Sequence, residues 1–270
     1  MRLAIVHETI YRFDEPCSRA IQTLRLTPRN TESQLVQRWR IDVSQDCRLS
    51  PVEDAFGNLT HTFSIDGPID ELSIVASGDL VTEDTAGVLH ATRERLPLMA
   101  FQRMTARTTA ELAVRDFAET ARRESAADLL STLHLMMGRL HERVTVDPAA
   151  PETLPDAVLA TERATVTDIA HLFAAAARAL DIPTRFVSGW LHPGEDAVAT
   201  GEHCWIEANL GSGLGWVGFD AVENSCPTER WVRVAGGLDV LDTMPIRGVR
   251  TSRGGETVTT RITLREISAA

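Results

Sequence analysis

The sequence predicts an α+β fold: an N-terminal antiparallel β-sandwich followed by a core of helices packed on a second antiparallel sheet. Three observations predict it. The first ~85 residues alternate apolar and polar with a period of two, as half-buried strands do. Between residues 108 and 180 the apolar period lengthens to that of a helix. After residue 184, short strand-like segments return. The domain boundary falls near residue 90, giving a β-domain over 1–90 and a core with C-terminal strands over 91–270.

The first strands are read in "IVHETIYRF", "IQTLRLTPR", "LVQRWRIDV", "LTHTFSID" and "ELSIVASGDLVTE". Asp14-Glu15-Pro16, Pro28-Arg29-Asn30, Phe56-Gly57-Asn58 and Asp66-Gly67-Pro68 separate them as turn signals. A helix over 108–123 would bury Ala110, Ala113, Phe117 and Ala121; one over 126–144 would bury Leu129, Leu133, Met136, Met137 and Leu140. The Pro-containing "DPAAPETLPDAV" reads as a connector. The third helix starts at Thr165, where Thr165-x-x-Asp168 has the spacing of a hydroxyl cap and a reciprocating acid. Its stripe is Ile169, Leu172, Phe173, Ala176 and Leu180; small residues Ala174 to Ala177 mark it as central, and Asp181-Ile182-Pro183 stops it. The strands that follow are "TRFVSGWL", "HCWIEANL", "GWVGFD", "WVRVAGG" and "TVTTRITLREI", with Gly211-Ser212-Gly213 as a turn.

The chain has 270 residues and a net charge of −11. An acidic surface repels phosphate backbones, so no nucleic-acid partner is expected. All 27 basic residues are arginine, a bias attributable to genome composition. No apolar run is long enough to span a membrane, and "MRLAIVHETIYRFDEP" places charges where an export signal needs an apolar stretch. The expected compartment is therefore the cytoplasm, with Cys17, Cys47, Cys204 and Cys226 as reduced thiols. They form no C-x-x-C pair, so no metal site is expected, and no cofactor either.

Chemistry-bearing residues gather on two strands. His203 and Glu207 are four apart and share a face; Cys204 points the other way. Asp220 ends the next strand, where a hairpin would bring its carboxylate to the His203 imidazole, orienting it and stabilising its charged form. Such a pair activates a nucleophile. A helix N-terminus is the place where a thiolate is stabilised, and the third helix offers one.

These segments resemble the bacterial transglutaminase-like proteins of the papain-like cysteine-nucleophile group, over nearly the whole chain. "LRLTPRN" and "DAFGNLTHTFSI" are similar to the β-domain that precedes the core in that family, "TDIAHLFAAAARALDIPTRFVSGWL" to the helix and strand after its nucleophile. "HCWIEANLGSGLGWVGFD" is similar to its His and Asp strands, and "VAGGLDVLDTMPIRGV" to its C-terminal segment. The resemblance implies a transglutaminase-like core, with His203 and Asp220 at the family's catalytic positions. Counting back from Asp168-x-Ala170-His171, it puts the family cysteine at Val166, the preceding Gly at Ala164 and the following Gln at Thr167. Where the family continues Pro-Thr-Asn after its Asp, this chain has Ala221-Val222-Glu223.

Valine has no nucleophilic atom, so no thioester forms on it. Loss of a nucleophile leaves at most roughly 10³-fold catalysis over water. The expectation is a catalytically defective protein, a pseudoenzyme with vestigial His203 and Asp220, that binds a peptide or partner protein. The resemblance implies an active transglutaminase-like or an ATP-grasp-type protein as partner. The alternative is an active transglutaminase or amide hydrolase using Cys226, in the loop "ENSCPTER", or an activated water. The plainer readings are a packing residue for Val166, a structural pair for His203 and Asp220, core for Trp205 and a solvated strand position for Glu207.

Overall fold

The computed structural model describes residues 1–89, 94–194, 201–211 and 213–267. The proposed boundary at 90/91 and Ser212 of the expected turn lie outside them. The first sheet is built on two very long strands, β1 (Arg2–Thr27) and β4 (Leu59–Thr82), with β2 (Gln34–Val43) and β3 (Ser50–Glu53) between them in sequence. Two expected turns are absent as turns. Asp14-Glu15-Pro16 lies inside β1 and Asp66-Gly67-Pro68 inside β4, and the two segments face each other across the ladder where its register slips between Arg12 and Cys17 and between Cys17 and Arg19. Proline and extra residues break the pairing there without reversing the chain, so a single hairpin bends. Its two halves share one core: Leu3, Ile5 and Tyr11 before the bend pack in the same cluster as Ala20, Leu24 and Leu26 after it.

β5 (Val88–Leu89) and a 3-10 turn (Leu98–Gln102) lead to α1 (Leu112–Glu124) and α2 (Leu129–Arg143). α1 buries the expected Ala121 together with Val114 and Ala118, and Ala110 is buried just before it, whereas Phe117 is half-buried and Ala113 exposed. α2 buries Leu133, Met136, Met137 and Leu140 as expected, and Asp128 caps it by accepting from Ser131 N. Leu129, expected on the same face, is the first helical residue and is exposed, because among the described residues the turn it opens has no element packed over it at that end. The connector contains a helix of its own, α3 (Pro155–Thr161), flanked by the paired short strands β6 (Thr145–Val146) and β7 (Arg163–Ala164). Pro155 sits where a helix start tolerates proline. α4 (Val166–Ala179) is the central helix, buried from Asp168 through Arg178.

β8 (Thr184–Leu191), β9 (His203–Asn209), β10 (Trp216–Phe219) and β11 (Trp231–Gly237) form the core sheet in the order β11-β8-β9-β10-β5. α4 covers one face of it, with Phe173 and Ala177 in the same cluster as Ile206, Ala208, Val217 and Phe219. A short α5 (Val240–Thr243) then returns the chain to the first sheet. There β12 (Ile246–Thr251) pairs with the second half of β1 and β13 (Glu256–Glu266) with its first half. The last strands, expected beside the core, therefore complete the N-terminal sheet. Their buried residues Ile262 and Leu264 belong to its hydrophobic cluster, and an unpaired β1 edge would otherwise face solvent.

Two side-chain amides of the N-terminal region, Gln34 opening β2 and Asn58 just before β4, dock the two layers. Gln34 donates to Arg233 O and accepts from Arg233 N, both at 2.8 Å. Asn58 does the same with Gly236, also at 2.8 Å. Each amide imitates a strand residue against the free edge of β11. Asn58→Ala would orphan two buried backbone groups, so a loss of about 2–4 kcal/mol is expected in urea unfolding. Asn58→Asp should also destabilise, because a carboxylate cannot donate to Gly236 O.

His7 is buried in β1, accepts at Nδ1 from Trp190 Nε1 at 3.3 Å, and has Glu202 4.0 Å from Nε2. Burial pushes its pKa from 6.5 down to about 4. Between those values the unfolded chain holds the proton and the folded chain does not. Stability is therefore complete above about 6.5 and falls towards pH 4, by roughly 3 kcal/mol from this group. Burial raises the neighbouring Glu202 carboxyl from 4.5 to about 7, and its contribution runs the other way over the same range. The His7 contribution is therefore read as the difference in urea unfolding between the native chain and His7→Gln at stepped pH, which should shrink as the pH falls towards 4.

Candidate functional site

α4 begins as the sequence predicts. Thr165 caps it by accepting from Asp168 N at 3.1 Å. The acid reciprocates to the hydroxyl rather than to the backbone: Asp168 Oδ2 accepts from Thr165 Oγ1 at 3.0 Å and from Thr153 N at 3.3 Å. Val166 is the first helical residue, and its side chain packs beside Ala170, Phe186 and Cys204. Cys204 points away from His203, as strand alternation requires, with Sγ 3.9 Å from Thr167 Oγ1. Burial, reinforced by the nearby Glu202 carboxylate, pushes its thiol well above the ordinary range.

The two strand residues meet. His203 Nε2 lies 2.5 Å from Asp220 Oδ2, with the histidine 8% exposed and the aspartate fully buried. Asp220 Oδ2 also accepts from Trp231 Nε1 at 2.8 Å, and its Oδ1 accepts from Val222 N and Glu223 N. Four groups converge on one carboxylate. A carboxylate only accepts, so His203 donates to it from Nε2, and the neutral ring carries its free lone pair on Nδ1. Among the described residues Nδ1 has no hydrogen-bond partner. Trp205 stacks beside the imidazole, with ring centroids 6.3 Å apart, and is buried core as expected.

Two expectations about nearby residues need correction. Glu207 is not solvated: it is 2% exposed and shared by two guanidiniums, Arg185 Nε at Oε2 and Arg233 Nε at Oε1. Burial alone would raise its pKa, and the two arginines more than reverse that, holding it below the ordinary carboxylate range. Arg185 is further paired with Glu94 and lies 4.2 Å over the Trp216 ring. Cys226 is half-buried against the helix-side core; burial raises its thiol pKa, and among the described residues it makes no hydrogen bond to His203. Trp231 and Arg185 escaped the sequence reading. Trp231 lies eleven residues beyond Asp220 across an irregular loop. Opposite charges on adjacent, otherwise apolar strands were a usable signal for Arg185 and Glu207. Among the described residues no cluster of His, Cys, Asp or Glu could hold a metal, and no helix is long and apolar enough to cross a membrane.

A helix N-terminus laid against a sheet, with His and Asp on adjacent strands and a β-domain in front, defines the transglutaminase-like class. The bacterial transglutaminase-like N-terminal region matches residues 3–80, and the transglutaminase-like superfamily core matches residues 115–221. The chain belongs to the transglutaminase-like superfamily. It is 29% identical over 94% of its length to an uncharacterized protein of Mycobacterium leprae, of which 94% is covered. An uncharacterized protein of Mycobacterium tuberculosis is 23% identical over 92% of this chain and 87% of its own. A crystal structure from Cytophaga hutchinsonii, described as a candidate cysteine protease, shares the fold with a TM-score of 0.76. It covers 100% of this chain and 92% of its own, at 17% identity.

Glu207→Gln would leave the buried Arg185 and the largely buried Arg233 sharing a neutral amide. A loss of about 3–5 kcal/mol is expected in urea unfolding, with the far larger part recovered by a compensating Arg233→Met.

Proposed function

We propose that this transglutaminase-like protein has lost covalent acyl transfer and acts by binding a peptide or a partner protein in the cleft beside His203. The observation that carries the reading is Val166 as the opening residue of α4, where the resemblance puts the family cysteine, in a chain that keeps the His203–Asp220 pair. An imidazole with a free basic nitrogen and no thiol partner has nothing to deprotonate for a thioester route. The two cysteines nearest in sequence to the pair do not supply one: Cys204 is turned to the opposite side of β9, and both thiols are shifted away from the reactive thiolate. The partner classes consistent with the resemblance are an active transglutaminase-like protein and an ATP-grasp-type protein. A cytoplasmic location belongs to the same reading.

The second reading, hydrolysis by water activated at His203 Nδ1, is favoured by that unpartnered nitrogen alone. Relocation of the nucleophile to Cys226 is disfavoured by its raised pKa and its packing against the helix-side core.

Alkylation with iodoacetamide, read by peptide mass spectrometry, tests the proposal. In the native chain Cys204 and Cys226 should label slowly, and no acyl adduct should survive incubation with an activated ester. Val166→Cys should gain a thiol that labels at least about tenfold faster than either at pH 6, the advantage vanishing with His203→Ala. A stable acyl adduct on the unmodified chain would end the pseudoenzyme reading.

A further inference from the structure

A cavity of about 810 Å³ lies where the loops of the first sheet meet the core sheet. Arg29, Arg95, Arg185 and Arg233 line it together with apolar Phe56 and Leu89. Its volume is in the range of sites for small organic ligands. It sits on the face of the core sheet that carries His203 and Glu207, and these two residues are separated by roughly 13 Å of extended strand. A much smaller space lined by Trp205, Trp231 and Arg233 lies between the cavity and the pair.

The floor of the cavity holds unused donors. Arg185 is only 4% exposed; its Nε and Nη1 are taken by Glu207 and Glu94, and its Nη2 is buried with no partner. Arg233 engages Glu207 through Nε, which leaves both its Nη groups without a protein partner among the described residues. The backbone makes room for that fork: a Cβ on Gly236 would stand 2.6 Å from Arg233 Nη2. Buried guanidinium donors are normally satisfied, and a planar fork is matched by a carboxylate.

Among the described residues, Glu32, Glu53 and Glu94 also line the wall, Glu53 paired with Arg29 and Arg95 and Glu94 with Arg185. With Glu207, which Arg185 and Arg233 share, the described groups are four guanidiniums and four carboxylates. A phosphate dianion would bring two charges into a lining with no positive excess. A single carboxylate brings one, and its two oxygens match the planar Arg233 fork. Phe56 and Leu89 suit an apolar side chain. We infer that this cavity binds the α-carboxylate of an amino acid or of a peptide C-terminus carrying an apolar side chain, with the carboxylate on the Arg233 fork. The site is separate from the His203–Asp220 pair and does not depend on whether that pair is active.

Isothermal titration calorimetry on the full chain tests the inference with four probes: Ala-Ala-Phe as the free acid, its C-terminal amide, free phenylalanine and inorganic phosphate. The free-acid tripeptide should bind, and the amide should bind at least about tenfold more weakly. Gly236→Ala displaces the Arg233 fork while keeping every charge, and Arg233→Gln removes the fork; each should weaken the free acid by a similar factor. Gly236→Ala keeps the test decisive where Arg233→Gln fails to fold. His203→Ala should leave binding unchanged, so failure here is distinct from failure of the proposed function. Free phenylalanine equal to the tripeptide assigns the site to amino acids, and a tighter tripeptide assigns it to peptide ends; both support the carboxylate. Equal binding of acid and amide, tighter binding of phosphate than of the peptide acid, or no binding of the acid to the native chain would each overturn it.

Discussion

The docking of β11 against the N-terminal sheet is the constraint on which the rest of the molecule depends. Two amides, Gln34 and Asn58, grip its backbone at Arg233 and Gly236 from one side, while β8 pairs with it from the other. A strand held on both edges has its side chains fixed in register. Trp231 at its start then supports the Asp220 carboxylate, and Arg233 in its middle holds half of Glu207. A slip of one residue would turn both side chains to the wrong face. The histidine pair and the arginine-lined cavity therefore share a single mechanical origin, although they have no residue in common.

That arrangement explains what the N-terminal region contributes to the core. It is more than a domain in front: β12 and β13 return from the end of the chain to pair with β1, so the two sheets are tied at both ends of the sequence. Trp190, on a core strand, packs in the N-terminal cluster and donates to His7. The polar seam at Gln34 and Asn58 and the apolar seam at Trp190 divide the work. Directional bonds set the register, and buried area supplies most of the attraction.

Much of this was legible in the sequence, and the reasons for the rest are physical. The helix start at Thr165, the stripe of α4 and the meeting of His203 with Asp220 follow from local rules of capping, period and hairpin pairing. The bends at Asp14-Glu15-Pro16 and Asp66-Gly67-Pro68 were read as turns because proline and glycine mark an interruption of the ladder without saying whether the chain reverses. The homes of β12 and β13 were not legible, since their partner lies more than two hundred residues away. Glu207 was misread because a charged strand residue is normally solvated; only the arrival of Arg185 and Arg233 from two other strands makes its burial tolerable.

The pair and the cavity show how a fold can keep its polar architecture apart from its chemistry. Asp220 is satisfied by four donors whatever side chain opens α4, because none of those donors comes from the helix. Val166 makes its contacts with Ala170, Phe186 and Cys204, on the side of the sheet that Asp220 does not face. An apolar residue at the helix start is therefore accommodated without disturbing the imidazole and its carboxylate. Conversely, removing any donor to Asp220 would leave a buried charge under-bonded, so the pair is held in place by the stability of the fold itself. Persistence of His203 and Asp220 is thus weak evidence for catalysis on its own. What decides the chemistry is whether a nucleophilic atom reaches His203 Nδ1, and among the described residues nothing is hydrogen-bonded to that nitrogen.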